Sequence, residues 1–155
     1  MICRFIILFI VIGISSCEER RTPESHIIPA GYNGVVITIY DQAGYPELPL
    51  KDGFLVLKYP KDGILITSSK QEFGWASDEI LESSENGIPI PITSGTPGDR
   101  RKRSAGTGSW SNGDIELEYA YKGIGTESND LGSSGVDRKI QEALQKLQQG
   151  MKTRE

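Results

Sequence analysis

Apolar positions along this chain recur mostly with a period of two, broken at short intervals by glycine, proline, asparagine and aspartate, as in short strands joined by turns. Val35-Val36-Ile37-Thr38-Ile39-Tyr40 is β-branched and largely apolar on both alternating faces, Val35/Ile37/Ile39 and Val36/Thr38/Tyr40. That pattern predicts a central strand covered on both sides. Phe54–Tyr59 and Ile64–Thr67 are two further strands, and Pro60-Lys61-Asp62-Gly63 between them has the chemistry of a tight turn, so they are expected to form a hairpin. Ile115–Tyr121 alternates strictly, with Ile115, Leu117, Tyr119 and Tyr121 facing the core and Glu116 and Glu118 facing water. Ile88-Pro89-Ile90-Pro91-Ile92 alternates with prolines that cannot donate to a ladder, which predicts an edge strand or an extended polyproline-like piece. Gln71–Asn86 lacks clean periodicity and suits an irregular strand followed by a loop, while Thr93–Gly108 has the composition of a Gly/Ser/Thr loop.

The period changes once. Val136, Ile140, Leu144 and Leu147 fall on one helical stripe, Ser134 stands three residues before Asp137 at capping-box spacing, and Gly150 is placed to end the helix. The stripe either packs on a sheet face or, freed by the glycine-rich stretch Gly123–Gly135, docks onto a partner. The expected fold is therefore mainly β: a small antiparallel β-sandwich-like domain of about six to eight strands with one C-terminal amphipathic helix.

The N-terminus has a different pattern. Arg4 precedes the apolar run Phe5–Ile12, which is too short for a bilayer span of about 20 residues and matches a signal-peptide core. The following Ile14-Ser15-Ser16-Cys17 resembles a bacterial lipobox, which implies cleavage after Ser16 and acylation of Cys17. Two or more acyl chains anchor stably where one does not. The organisation expected is a signal peptide at 1–16, a polar tether at 17–25, a β-rich domain at 26–126, a linker at 127–135, a helix at 136–149 and a tail at 150–155. Glu18-Glu19 directly after the cysteine has a second reading, since acidic residues there resemble a surface-export signal of some Bacteroidetes-type envelopes.

Of the two cysteines, Cys3 lies in the signal peptide and Cys17 is the acylation site, so the mature domain has no thiol chemistry. The net charge of −4 becomes −5 once residues 1–16, with Arg4 their only charged residue, are removed. Mild acidity with dispersed Lys and Arg argues against nucleic-acid binding.

Ile28-Pro29-Ala30-Gly31-Tyr32-Asn33-Gly34 before a hydrophobic strand, and Tyr59-Pro60-Lys61-Asp62-Gly63-Ile64-Leu65, resemble an uncharacterised domain family of small bacterial envelope lipoproteins. The stretch 107–126, from Thr107-Gly108-Ser109-Trp110 to Gly123-Ile124-Gly125-Thr126, is similar to the family's closing segment, a glycine-rich turn before an aromatic strand. The resemblance spans residues 26–126 and implies an extracytoplasmic β-rich domain with no activity to carry over.

Candidate chemistry is sparse. His26, the only histidine, is expected at the surface or in a turn, and no spacing of Cys, His, Asp and Glu suggests a metal site. Gly95-Thr96-Pro97-Gly98 lacks the Gly-Lys-Ser/Thr ending of a phosphate loop. Arg100-Arg101-Lys102-Arg103 is either a solvated loop tip or a contact for an anionic glycan or lipopolysaccharide. Trp75 and Trp110 are either core residues or a sugar-stacking platform. Asp52, Asp62, Glu72, Asp78 and Glu79 are expected in turns and at the surface, and a hydrolase would need two of them facing across a cleft. No cofactor is expected. The function these features support is a non-enzymatic, lipid-anchored envelope protein, on the periplasmic or surface face of the outer membrane if the cell is Gram-negative, that binds a protein or glycan partner or serves as an envelope-structural module. The alternatives are an immunity-type lipoprotein that neutralises a toxin and a glycan-active hydrolase.

Overall fold

A computed structural model describes residues 19–84, 88–92, 102–113, 115–125 and 133–152. The signal peptide, Cys17, Gly95–Gly98, Arg100, Arg101 and most of the linker lie outside them. The strands are β1 (Glu24–Ile28), β2 (Gly34–Ile39), β3 (Leu50–Lys51), β4 (Phe54–Lys58), β5 (Ile64–Ile66), β6 (Glu79–Glu82), β7 (Ile90–Pro91), β8 (Lys102–Ser111) and β9 (Glu116–Gly125), and the helix is α1 (Ser133–Lys152). They build three layers: a sheet in the order β3-β4-β1-β6-β7, a second sheet in the order β5-β2-β9-β8, and α1 on the outer face of the second. The fold is a small β-sandwich-like domain with one C-terminal helix. Its sheets are mixed, however, not antiparallel throughout.

The parallel pairs follow from one device used twice. β1 leaves the first sheet through residues 29–33 and enters the second as β2; β4 does the same through residues 59–63 and enters it as β5. The two arches stack, so β4 runs parallel to β1 and β5 parallel to β2. The hairpin expected between Phe54–Tyr59 and Ile64–Thr67 is therefore not formed, although its turn is: the Gly63 N–H donates to the Pro60 carbonyl at 2.9 Å with Gly63 at φ +73°. Turn chemistry sets where the chain reverses, but a partner strand is chosen by what each strand can bury. Leu57 and Ile64 both lose nearly all exposure by separating into different sheets.

β2 is the axis of the molecule. All six of its residues are buried. Val35, Ile37 and Ile39 face α1 together with Ile64, Ile66, Leu117, Val136, Ile140, Ala143, Leu144 and Leu147. Val36 and Tyr40 face the other sheet with Ile28, Leu57, Tyr59, Ile92 and Ile124. Burying side chains of this size fully contributes about 1.5–3 kcal/mol each, which is why α1 stays docked on the sheet. The helix begins at Ser133, one residue before its expected cap, and Gly150 lies in its last turn, not beyond it. Asp62 ties it to the second arch: its carbonyl accepts from Lys139 Nζ at 2.6 Å and its carboxylate pairs with Lys146. Among the described residues no helix is long and apolar enough to cross a membrane.

Two further expectations need correction. Residues 102–108, expected in a loop, belong to the ten-residue strand β8, which pairs along its whole length with β9. Glycine weakens a strand where there is nothing to pack, but here Gly106 and Gly108 stand opposite Tyr121 and Tyr119, whose rings occupy the space a Cβ would need. The tether is also shorter than expected. Arg20 bridges Trp75, and Glu24 and Ser25 are buried within β1, where the Glu24 N–H donates to Asp78 on the segment before β6 and Ser25 pairs with Glu79 of β6. The proline-interrupted stretch does supply an edge strand, with Ile90 and Pro91 pairing only to β6.

Candidate functional site

β1 places Glu24 and His26 on the same side, two residues apart, facing the gap between the sheets. Thr38 and Tyr40 enter that gap from β2 and its end, Tyr59 from the end of β4, Asp78 from just before β6, and Lys122 from β9; Arg21 reaches in from the N-terminal segment. All of these but Thr38, which lies buried behind Tyr59, line a cleft of ≈ 270 Å³ that also touches Gln71, Glu72 and Tyr121.

His26 is the centre of the cluster and only 2% exposed. Its Nε2 lies 3.0 Å from Glu24 Oε2 and its Nδ1 3.1 Å from the Tyr59 hydroxyl, which is 2.9 Å from Thr38 Oγ1. The Tyr59 ring lies nearly parallel to the imidazole, 11° between planes. With Nε2–H donating to Glu24, Nδ1 accepts from Tyr59, whose oxygen in turn accepts from Thr38, so each polar atom in this chain has a partner. The Tyr40 hydroxyl donates to the other Glu24 oxygen at 3.4 Å. At the cleft mouth the Arg21 guanidinium donates to Asp78 Oδ2 at 2.6 Å, the Glu24 N–H donates to Asp78 Oδ1 at 3.0 Å, and Lys122 Nζ stands 3.8 Å from Asp78.

Burial lowers the His26 pKa below its ordinary value, with Lys122 adding to the effect against the hydrogen bond to Glu24, so the imidazole is neutral. Burial pushes the Glu24 carboxyl upward, but the His26 hydrogen bond and the nearby Arg21 outweigh it, and the net shift is downward. Asp78 behaves alike: desolvation raises it, and the Arg21 and backbone hydrogen bonds bring it below the ordinary carboxylate value. Burial raises the Tyr40 and Tyr59 phenols, which stay protonated.

His26 is therefore not a surface or turn residue, and Asp78 is not a simple turn carboxylate. Strand alternation turned His26 inward and the Arg21 and Glu24 contacts hold the half-buried Asp78 beside it; such polar groups are tolerated because each is hydrogen-bonded. His26, Glu24 and Asp78 also bring three ligand-type atoms within 4.8 Å of one another, a metal-ligand grouping that spacing along the chain did not suggest. The fit to a cation is poor on this structure's own terms. Two carboxylates here already face two fixed cations, Arg21 and Lys122, so a divalent ion would enter a charge-balanced site and displace the Arg21–Asp78 pair. What the cluster can do is hold a proton between Glu24 and His26 and present a polar wall to the cleft; each candidate acid, base or nucleophile in it is occupied by another.

The remaining candidates are scattered. Asp62 and Glu72 satisfy backbone N–H groups of Ile64 and Thr22, and Asp52 occupies a turn at φ 52°. Trp110 is half-buried against the helix-side core, whereas Trp75 is 72% exposed beside Arg20. They do not share a cluster. Lys102 and Arg103 open β8, and the rest of the basic run is outside the described residues. Glu24, Arg21, Tyr59, Thr38 and Lys122 were not legible as site residues; the one available signal was the polar pair Glu24 and His26 at strand spacing directly ahead of Ile28.

Residues 20–134 match a protein family of unknown function, DUF6843, and the chain belongs to it. No curated protein matches the sequence. Among solved structures, the chain is similar to a crystal structure named "Putative Lipoprotein from Bacillus anthracis", with a TM-score of 0.65 and 22% identity over 83% of this chain and 95% of that one. At that identity the likeness is one of fold.

Proposed function

We propose that this DUF6843 protein is a lipid-anchored extracytoplasmic lipoprotein whose folded domain works by binding a partner and not by catalysis. The observation that carries the reading is the Ile14-Ser15-Ser16-Cys17 ending of a short apolar run, which supplies an acylation site immediately ahead of the domain. The lipoprotein name of the structural relative supports it. Support for a non-catalytic role comes from the state of the hydroxyl bonded to His26 of the His26–Glu24 pair: Tyr59 is 5% exposed, held by Thr38, and its phenol is raised by burial, so it is a poor nucleophile. Metabolic labelling with a fatty acid tests the anchor: Cys17→Ala abolishes the label, and undiminished labelling refutes the reading. Protease treatment of intact and permeabilised cells then assigns the face of the envelope. Cleavage on intact cells places the domain outside and fits a surface partner; protection until permeabilisation places it inside and fits an envelope or toxin partner.

A further inference from the structure

From the way the N-terminal segment is pinned to the domain, we infer that Trp75 and Phe73 form a membrane-contacting patch that seats the domain on the bilayer holding its own acyl chains. The inference rests on the lipid anchor proposed above. Glu19, Arg20 and Arg21 are not a free leash: Trp75 N–H donates to the Glu19 carbonyl at 3.0 Å, Arg21 N–H donates to the Trp75 carbonyl at 3.3 Å, and Arg20 and Trp75 form a parallel bridge. Arg21 is held further by Asp78. Only three residue steps separate Cys17 from Arg20, at most about 11 Å of extended chain, and Trp75 sits one strand spacing, about 5 Å, to the side. The Trp75 backbone is thus confined to within about 16 Å of the acylated cysteine. The headgroup layer is itself about 6 Å deep on each side of the hydrocarbon, and an indole spans several ångströms more.

The residues held there are the kind that an interface takes up. Trp75 is 72% and Phe73 65% exposed, among the most exposed large apolar side chains of the described structure. Gly74 between them, at φ +130°, is packed so closely on the Glu19 backbone that no Cβ fits, which keeps both aromatics beside the anchor-proximal strand. Beside Trp75, Pro23, Phe54 and Ala76 extend the apolar surface along one side of an open groove of ≈ 490 Å³ that Arg20 and Arg21 also line. Trp favours the headgroup level of a bilayer, where its ring is half apolar and its N–H finds a partner. Glu19 offsets Arg20, so attraction to anionic lipid is weak and the contact is carried by the aromatics. A solvent-exposed pair of aromatics also suits a glycan, but a glycan site gains nothing from being tied three residues from the lipid.

The test uses the full acylated lipoprotein carrying Trp110→Phe, so that emission reports Trp75 alone, reconstituted in phosphatidylcholine vesicles with and without brominated acyl chains. The expected result is a blue shift on reconstitution and a loss of emission with the brominated lipid, equally in vesicles containing phosphatidylglycerol. In the otherwise wild-type protein, Trp75→Ala removes the lipid-quenched component while flotation with vesicles is unchanged; this second variant keeps the test intact if Trp110→Phe folds poorly. Unshifted, unquenched Trp75 emission from protein that floats with the vesicles overturns the patch and leaves the anchor standing. Emission that answers to chitooligosaccharides and not to lipid overturns it in favour of a glycan site. Absence of acyl mass on Cys17 together with failure to float refutes the anchor itself.

Discussion

Tyr59→Phe is the sharpest probe of the buried network, because it removes one oxygen and almost no volume. The Tyr59 hydroxyl is 3.1 Å from His26 Nδ1 and 2.9 Å from Thr38 Oγ1, and the side chain is 5% exposed. Losing it deletes two hydrogen bonds with a net value of about 1 kcal/mol each and strands an imidazole nitrogen away from water, a penalty of about 1–3 kcal/mol. Thr38 also contacts Tyr40 and recovers much of its share, so the expected loss is about 2–4 kcal/mol. Thr38→Val is the control: it leaves the Tyr59–His26 bond in place and should cost about 1 kcal/mol. Both are read from urea unfolding, with an unchanged m-value confirming that only the native state moved. A Tyr59→Phe loss below about 0.5 kcal/mol, or one equal to that of Thr38→Val, would refute the view that this hydroxyl is the partner His26 Nδ1 depends on.

Two further outcomes follow from the same geometry. Because the His26 pKa is lowered on folding, the unfolded chain binds the extra proton first; stability is full above the ordinary value of 6.5 and falls as pH drops below it, and Glu24 and Asp78, also lowered, add a further loss below 4.5 and 3.8. Urea midpoints measured across that range should show the upper part of the decline in wild type and not in His26→Gln, and an identical decline in both would contradict the assignment. Gly63→Ala should destabilise by about 2–3 kcal/mol, combining a left-handed backbone cost of about 1–2 with displacement of the Tyr32 hydroxyl from the Val35 carbonyl, about 1. Gly31→Ala, at φ +66° in open space, should show the backbone part alone, and equal losses in the two variants, compared by thermal unfolding, would mean that the arches do not lean on each other through Tyr32.

Strand periodicity and the helical stripe were enough to identify β2 as doubly covered, to orient Leu117 and Tyr119 inward, and to select Val136, Ile140, Leu144 and Leu147 as the docked face of α1. These are local properties: which atoms lie on one side of a strand or helix depends on backbone geometry alone. The turn at Pro60–Gly63 was legible for the same reason, since its φ requirement belongs to four consecutive residues.

Pairing was not legible, because it is decided between segments far apart in the chain. A turn of one composition serves a hairpin or an arch, and only the neighbouring arch at Pro29–Asn33 made the latter the way to bury both strands. β8 reads as a loop until Tyr119 and Tyr121 lie over its glycines. The cluster at His26 depends on the same kind of contact: Asp78 is 54 residues from Glu24 and Tyr59 is 33 from His26. The chain alone determined which apolar side chains turn inward. Tertiary packing decided which polar ones join them, as Glu24 and His26 do, because a buried charge or imidazole is stable only where groups from several strands arrive within hydrogen-bond reach at once.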